Sequence, residues 1–319
     1  MNAAVVRSFD APPRYEAFPT PQPSGEHQIV VDVLAAGLHP RVRSGASGSH
    51  YTSTRELPLI PGIDGVGRSQ EGQLLYFVAF DGAFGTMAER TVIDRRRAAV
   101  LDDDADVPAI AAAMNPGMSS WMALRKRIPF AAGQKVLVLG ATGNAGQLAV
   151  QIAKLLGAGH VVAVGRNAER LAALTSLGAD EAVSLAGEPD EVAEALAAAG
   201  ADVDVVIDYL WGSVTEQAIP ALVRNRAQPS KPLWWIQIGS MAGASIALPS
   251  AALRAANLQL LGSGQGSLAT AAIAAEVPAL AAHISDGAFA VDPLPTPLSD
   301  VECAWNAATA PGQRIVFIA

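Results

Sequence analysis

The sequence predicts an α/β protein with a doubly wound parallel sheet of the Rossmann type and a second, β-rich domain. Residues 136–157 join an apolar strand, a glycine turn and an amphipathic helix. From residue 135 onward, apolar strand-like runs alternate with helical segments, which is typical of a parallel sheet covered on both faces. The first ~100 residues contain segments that alternate with period two and are broken by glycine and proline, which suggests a small barrel-like or mixed β domain.

Composition bounds the class of protein. The 319 residues are enough for two domains, and half of them are apolar while 16% are charged, as in a compact globular chain. The net charge of −8 argues against a nucleic-acid partner. We find no secretory leader and no apolar run of about 18 residues, so we expect a cytoplasmic protein without a membrane partner. The single cysteine, Cys303, excludes an internal disulfide and any zinc site needing two thiolates, and we expect it to be buried.

The elements of the first part of the chain follow from local patterns. Alternation over residues 28–35 and 74–80 predicts strands. A helical signal covers residues 107–127, and we expect Asn115-Pro116-Gly117 to interrupt it.

The second part of the chain reads as a βαβ series. Strands are predicted at residues 135–139, 160–164, 181–184, 203–208, 234–239 and 258–262, and helices at 147–156, 169–177, 188–199 and 213–222. A long helix at 268–286, a proline-rich segment at 293–297, a helix at 300–308 and a strand at 314–318 follow. Because this tail does not extend the series, we assign residues 1–110 with 266–319 to one domain and residues 111–265 to the Rossmann domain.

Glycines at positions 140, 143 and 146 follow the first of these strands with the order of a dinucleotide-binding turn. Glycine lets the backbone approach a pyrophosphate and lets the helix pack closely on the strand. The phosphates would lie on N–H groups at the helix start, where the helix dipole favours negative charge. We assign pyrophosphate binding to Thr142, Gly143, Asn144, Ala145 and Gly146.

The end of the next strand indicates NADPH rather than NADH. Gly165 stands where NAD-binding proteins carry an acidic residue for the ribose hydroxyls, about 20 residues beyond the glycine turn. Arg166, Asn167 and Arg170 follow, so no carboxylate repels a 2′-phosphate and a guanidinium can bind it bidentately. The alternative is that both arginines are simply solvent-exposed residues at the start of a helix and bind no ligand.

Further motifs run from one end of the chain to the other. They are the opening strand at residues 1–6, the segment 33–40, the turn 57–67, the strand start 82–89 and the strand ends 208–212 and 237–243. Together with the glycine turn they resemble the medium-chain dehydrogenase/reductase superfamily, in its zinc-free NADPH quinone oxidoreductase branch. The resemblance implies a GroES-like β domain built from both chain ends, a Rossmann domain, NADPH in the cleft between them, and a homodimer that could join the edge strands at residues 258–262.

Departures from the family pattern bear on the chemistry. The 57–67 turn has Ile63 where zinc-dependent relatives have a histidine ligand, Leu38 and His39 stand near their cysteine ligand, and the four-cysteine lobe is missing. We therefore expect no metal. Without a Lewis acid, the resemblance implies hydride transfer to a small electrophilic acceptor, a quinone or an enone. His39-Pro40 also replaces the Asn-Pro that quinone reductases usually carry.

Hydride transfer is helped by a group that meets the negative charge developing on the acceptor oxygen. Tyr51 and His39, in the early loop that caps the family's cleft, are the candidates, and His39 could donate near neutral pH. Ser119 matches a threonine that contacts the nicotinamide in relatives, with a hydrogen bond inside its helix as the alternative. Asp64 is expected to be a structural hydrogen-bond acceptor, and Trp121 a core residue.

Strand ends complete the expected cofactor site, because ligands of open parallel sheets bind there. The candidates are Tyr209, Gly239, Ser240 and Met241. Ser263 and Gly264, in a second glycine-serine loop, could contact the nicotinamide side or form a domain hinge.

The sequence thus predicts a zinc-independent, NADPH-dependent quinone oxidoreductase-like enzyme. One alternative is an enoyl-thioester reductase of the polyketide type, since Asn115-Pro116 is similar to a segment of that branch and Arg41, Arg43 and Arg55 hint at a basic path for a phosphorylated carrier. The other is an NADPH-binding sensor with little turnover.

Overall fold

The computed structural model describes residues 1–49, 53–79, 82–310 and 312–319. Its strands are β1 Asn2–Val5, β2 Arg14–Ala17, β3 Gln28–Gly37, β4 Asp64–Ser69, β5 Leu74–Val78, β6 Arg90–Asp94, β7 Ala98–Val100, β8 Lys135–Leu139, β9 His160–Gly165, β10 Glu181–Ser184, β11 Val205–Asp208, β12 Leu233–Gln237, β13 Leu258–Gly262, β14 Asp292–Pro297 and β15 Gln313–Ile318. Its α-helices are α1 Pro40–Ala46, α2 Val107–Met122, α3 Asn144–Leu155, α4 Ala168–Leu174, α5 Pro189–Gly200, α6 Gly212–Arg224, α7 Ser250–Ala255, α8 Thr270–Ala274, α9 Val277–Ser285 and α10 Val301–Ala304.

The chain forms two compact units. Unit 1 contains Met1–Asn115 and Ala269–Ala319, and unit 2 is the continuous stretch Pro116–Leu268. In the described part of the chain, no helix is long and apolar enough to cross a lipid bilayer.

Unit 2 is a Rossmann-type parallel sheet with the strand order β10-β9-β8-β11-β12-β13. The apolar residues of β8, Val136 to Leu139, are fully buried, as expected of a central strand with helices on both faces. The strands predicted in this unit are confirmed to within two residues at either end. Because all of them run in one direction, their carboxyl ends meet at one edge of the sheet, where the glycine turn and the other predicted cofactor residues follow.

Unit 1 contains a mixed sheet with the order β14-β15-β3-β4-β5-β7, in which β6 also pairs with β3. Strand β15 lies parallel to β14 and antiparallel to β3. Ile315 and Phe317 of β15 pack in an apolar cluster with Leu38 and Val42. The last strand of the chain is therefore an interior strand of the sheet that the first part of the chain begins.

One prediction for the tail is wrong, and one segment that was left without a predicted structure is a strand. Residues 268–286 do not form one helix but the two helices α8 and α9, and Pro278 lies at the start of α9. Proline lacks the N–H that a continuous helix would use and is tolerated in a first turn. The proline-rich residues 293–297 belong to strand β14, which lies at the edge of its sheet, where missing donors can face solvent.

Two further expectations are corrected. Cys303 is exposed, because α10 is a single turn that buries Val301 and leaves Cys303 on its outer side. Helix α2 continues through Asn115-Pro116-Gly117 without interruption. Residues before and after the proline, such as Met114 and Trp121, are buried, so packing along the helix outweighs the loss of one backbone hydrogen bond. The expected core position of Trp121 is confirmed.

Candidate active site

The glycine turn between β8 and α3 has one tightly packed glycine and one open glycine. A Cβ on Gly146 would lie 2.2 Å from the carbonyl oxygen of Gly140, whereas a Cβ on Gly143 would meet only that oxygen, at 3.6 Å. Gly143 is the N-cap of α3 and supplies no capping side chain. Helix geometry leaves the N–H groups of Ala145 and Gly146 without an acceptor inside the helix. The turn thus forms an open cradle lined by backbone donors, which fits a pyrophosphate.

The ends of β8 and β9 are held side by side. A Cβ on Gly165 would lie 2.6 Å from Cγ2 of Thr142, so only glycine allows this approach. Asn167 caps α4, with its Oδ1 accepting from the backbone N–H of Arg170 at 2.8 Å. The Arg170 guanidinium in turn donates to the carbonyl oxygen of Thr142 at 3.5 Å. Arg166 directly follows strand β9, and its side chain is exposed.

A buried carboxylate, which the sequence analysis did not single out, organises the end of β11. Oδ1 of Asp208 accepts from the backbone N–H groups of Leu210 and Trp211 at 2.8 and 2.9 Å. Its Oδ2 accepts from Thr215 Oγ1 at 2.6 Å and from Trp235 Nε1 at 2.9 Å. These bonds hold the turn in which Trp211 has a φ of 55°. In the sequence, Asp208 could have been noticed because it is an acidic residue at the end of an otherwise apolar strand.

Ser119 and Tyr209, predicted separately, are in contact. Their hydroxyl oxygens lie 2.8 Å apart, and Ser119 Oγ also donates to the carbonyl oxygen of Pro116 at 2.6 Å. With its only proton used there, Ser119 accepts the proton of Tyr209. Burial raises the pKa of Tyr209 to about 12, so this phenol remains a donor. The hydrogen bond of Ser119 inside its own helix, which was the alternative interpretation of this residue, is therefore present, and its role towards the nicotinamide stays a prediction.

The remaining cofactor candidates of unit 2 lie at the same sheet edge. The backbone N–H of Met241 donates to the carbonyl oxygen of Tyr209 at 3.3 Å, and a Cβ on Gly239 would lie 2.6 Å from that oxygen. Ser240 is exposed, and the Met241 side chain is 74% exposed. The N–H of Ser263 donates to the carbonyl oxygen of Gln237 at 2.8 Å, which places Ser263 and Gly264 directly after the β12–β13 pairing.

Unit 1 holds a separate buried polar cluster around Asp64. Nε2 of His39 lies 3.2 Å from Asp64 Oδ1, and the Tyr76 hydroxyl donates to Oδ2 at 3.0 Å. Thr86 Oγ1 donates to the backbone carbonyl oxygen of Asp64 at 2.8 Å. His39, Asp64 and Tyr76 are all buried. The expectation that Asp64 is a structural hydrogen-bond acceptor is confirmed.

The protonation of His39 follows from this cluster. Burial lowers the pKa of the ring below 6.5, more than the carboxylate of Asp64 raises it. The neutral ring keeps its proton on Nε2, facing Asp64, so Nδ1 can only accept a hydrogen bond. This arrangement opposes the predicted donation near neutral pH. Tyr51, the other predicted donor, lies outside the described residues.

Arg314 is a further charged member of the cluster that sequence reasoning missed. Its side chain is buried, and burial lowers its pKa to about 10, partly offset by the negative charge of Asp64. The arginine is therefore still protonated at neutral pH. A lone basic residue inside the apolar strand Arg314–Ile318 was the only signal for it.

The buried polar cluster around Asp64 does not suit zinc. Across residues 1–49, 53–79, 82–310 and 312–319, no three histidine, cysteine or acidic side chains converge as a metal site. His39 and Asp64 supply two potential ligands, but Asp64 already accepts two hydrogen bonds and the charge of Arg314 would repel a cation.

Comparison with known proteins agrees with this architecture. The family described as "Zinc-binding dehydrogenase" matches residues 145–227, inside unit 2. The Emericella nidulans protein named "Probable NADPH-dependent quinone reductase tdiC" is 30% identical over 359 aligned positions, covering 100% of both chains. The Arabidopsis thaliana chloroplastic "NADPH-dependent alkenal/one oxidoreductase" is 29% identical over 51% of this chain and 46% of its own.

A solved structure extends the similarity to the whole fold. The quinone oxidoreductase from Thermus thermophilus, solved alone and with NADPH, superposes with a TM-score of 0.80 and 27% identity over 100% of both chains. Full-length similarity in sequence and in fold, together with the Rossmann-type sheet and its glycine turn, identifies the lineage. The chain belongs to the medium-chain dehydrogenase/reductase superfamily, in its NADPH quinone oxidoreductase branch.

Proposed function

We propose that this protein is a zinc-independent, NADPH-dependent oxidoreductase that transfers hydride to a quinone or a small enone. The observation that carries the proposal is the glycine turn, with Gly146 closing the strand against the helix and Gly143 leaving an open cradle of backbone donors. NADPH would supply the hydride from its nicotinamide ring. The full-length relative named as a quinone reductase and the partial relative named as an alkenal/one oxidoreductase support the choice of acceptors.

Cofactor selectivity is assigned to the end of β9. The exposed guanidinium of Arg166 and that of Arg170 would bind the 2′-phosphate, with Asn167 holding the first turn of α4. Gly165 leaves room beside Thr142 and carries no charge that would repel the phosphate. The pyrophosphate would lie over residues 142–146.

The nicotinamide half is assigned to the ends of β11, β12 and β13. Ser119 can still accept a hydrogen bond, so its Oγ would receive an N–H of the nicotinamide carboxamide. Tyr209 would keep Ser119 Oγ a hydrogen-bond acceptor by donating its own hydroxyl proton to it. Gly239, Ser240, Met241, Ser263 and Gly264 would line the ribose and ring.

The acceptor is assigned to unit 1. We propose that this unit corresponds to the GroES-like substrate domain, delimited from the sequence as residues 1–110 and 266–319, and unit 2 to the NADPH-binding domain. Tyr51 stays a candidate proton donor, and His39 has a positioning role through Asp64. We also propose a cytoplasmic location, and a homodimer formed through β13, which is an edge strand of the Rossmann sheet.

The proposal is tested by following NADPH oxidation at 340 nm with a 1,4-benzoquinone, methyl vinyl ketone and an enoyl thioester, each with and without EDTA. We expect chelator-resistant turnover of the quinone or the enone, and a preference for NADPH over NADH. Turnover confined to the enoyl thioester would favour the polyketide-type alternative. NADPH binding without turnover of any acceptor would contradict the proposed function. Light scattering of the purified protein tests the dimer.

A further inference from the structure

Trp211 has a backbone conformation that residues other than glycine avoid. Its φ of 55° and ψ of −158° lie close to a region of backbone space that is occupied almost entirely by glycine. Among the residues that the structure describes, Trp211 is the only one other than glycine with a positive φ. Such a conformation persists only where the surrounding structure fixes it, and these outliers cluster at functional sites.

Contacts on both sides of the turn fix this conformation. Asp208 is completely buried, and its Oδ1 accepts from the backbone N–H of Trp211 at 2.9 Å. On the other side, the N–H of Ala242 donates to the carbonyl oxygen of Leu210 at 2.7 Å. A Cβ on Gly212 would lie 2.4 Å from the carbonyl oxygen of Ala242, so the two strand-end turns are in close contact. The fold thus determines the direction in which the Trp211 side chain leaves the backbone.

The fold makes little use of the ring that it holds in this way. Trp211 is half-buried, and its indole N–H donates no hydrogen bond within the described part of the chain. It is the N-cap of α6, yet its side chain caps nothing. Trp235 shows the contrast, because it is fully buried and its Nε1 donates to Asp208 Oδ2 at 2.9 Å. Leu210 packs against the apolar cluster that contains Trp235, whereas Trp211 is not part of that cluster.

The turn that carries Trp211 lies against the glycine turn of unit 2. Strand β11 pairs with β8, and the N–H of Tyr209 donates to the carbonyl oxygen of Leu139 at 3.1 Å. A Cβ on Gly140, the first glycine of the glycine turn, would lie 3.0 Å from the side chain of Leu210. Trp211 therefore stands at the carboxyl edge of the sheet, where ligands of open parallel sheets bind.

We propose that the Trp211 ring stacks on an aromatic ring of the bound dinucleotide, either the adenine or the nicotinamide. The inference rests on the proposed function, because that function requires unit 2 to bind NADPH. Both rings are planar heteroaromatic systems, and stacking on an aromatic side chain tolerates either of them. The backbone of Trp211 is already fixed, so little freedom is lost when a ligand covers the ring and the stacking energy is available for binding.

The test compares Trp211→Gly with wild type, since glycine removes the ring and adopts the backbone conformation of residue 211 without strain. We expect the dissociation constant of NADPH, measured by isothermal titration calorimetry, to rise about 5- to 100-fold in W211G, as for the loss of one stacked base. The Tm of W211G should not fall, because the fold makes little use of the ring. Trp211→Phe keeps a ring and should stay within about threefold of wild type.

Trp234 provides the matched control. It is a second half-buried tryptophan of unit 2, but it lies three residues before the end of β12 and so away from the carboxyl edge of the sheet. Trp234→Leu should therefore bind NADPH with the affinity of wild type.

Two fragments of the cofactor show which ring is stacked. 2′-Phospho-ADP-ribose carries the adenine, and reduced nicotinamide mononucleotide carries the nicotinamide. W211G should bind one of them at least about fivefold more weakly than wild type and the other equally well. Equal affinity of W211G and wild type for NADPH and for both fragments would overturn the role of Trp211. A loss of NADPH affinity that W211F shows in full would also overturn it, because phenylalanine can still stack.

None of these measurements depends on turnover. If the wild-type protein oxidises NADPH with no acceptor while W211G still binds it more weakly, the proposed function fails and the role of Trp211 stands. A wild-type protein that binds no NADPH would overturn both. Should W211G fail to fold, Trp211→Asn, which has no ring and tolerates a positive φ, should show the same rise in the dissociation constant.

Discussion

The hydroxyl oxygens of Ser119 and Tyr209 lie 2.8 Å apart, and the carbonyl oxygen of Pro116 receives the serine proton. This chain of two hydrogen bonds runs in one direction, from Tyr209 through Ser119 to the backbone of α2. Its consequence is chemical: Ser119 Oγ offers a lone pair rather than a proton to any ligand. A carboxamide would have to present its NH₂ group to this oxygen.

Replacement of Ser119 by alanine should therefore weaken NADPH binding about tenfold, the value of one lost hydrogen bond. Fluorescence titration measures the dissociation constant. Ser176→Ala is a matched control, because Ser176 makes the same type of bond to the carbonyl oxygen three residues earlier, at 2.7 Å, but is exposed. Equal NADPH affinity in S119A and wild type would contradict the assignment.

Alanine at Gly146 and at Gly143 should have different effects. At Gly146 the new methyl group would meet backbone atoms at 2.2 and 2.6 Å, so we expect a loss of about 1–3 kcal/mol in the free energy of unfolding. At Gly143, with a φ of −83° and open space, stability should be unchanged while NADPH binding is lost, because the methyl group fills the phosphate cradle. Urea unfolding and NADPH titration of both variants separate the two outcomes.

Arg166→Ala should raise KM for NADPH about ten- to a hundredfold and leave KM for NADH unchanged, because only NADPH carries the 2′-phosphate. Arg254→Ala is the control, since Arg254 is an exposed arginine whose guanidinium donates to Ser250 Oγ within α7. Equal use of the two cofactors by the wild-type protein would remove the basis for this assignment.

The stability of the fold should fall on mild acidification because of His39. Burial lowers its pKa in the folded protein below 6.5, so the unfolded chain takes up this proton first as the pH falls. The contribution of neutral His39 is thus fully present above pH 6.5 and is lost as the pH falls through the folded-state pKa. Urea unfolding at pH 7.5 and at pH 5.5 measures the resulting change in the free energy of unfolding. His39→Gln should flatten this dependence, whereas substitution of the exposed His27 should not.

The sequence predicted unit 2 well because its signals are local. Apolar runs bounded by glycine mark strands such as β8, and the turn that follows depends on glycine at fixed spacing, so both could be read from consecutive residues. The elements of the tail were harder. The three alternating prolines of residues 293–297 can belong to a strand because that strand lies at a sheet edge. The local sequence does not show that the strand lies at an edge.

The cluster of unit 1 could be predicted only in part. Asp64 and His39 stood out through their place in family motifs, but their hydrogen bond depends on tertiary packing. Arg314 is remote from both in the sequence and lies in a strand that otherwise reads as core. Nothing in the local pattern pairs it with His39, since that pairing arises from the register of β15 on β3.

The position of β15 also has a consequence for biosynthesis. Strand β3 gains its β15 neighbour only when residues 313–318 have left the ribosome, after all of unit 2 has been made. A nascent chain can therefore complete its glycine turn long before Arg314 can meet His39. Premature termination at codon 313 would leave the Rossmann sheet whole and remove the guanidinium together with its strand. The sheet of unit 1 is for this reason completed only by residues that are made after the whole of the Rossmann unit.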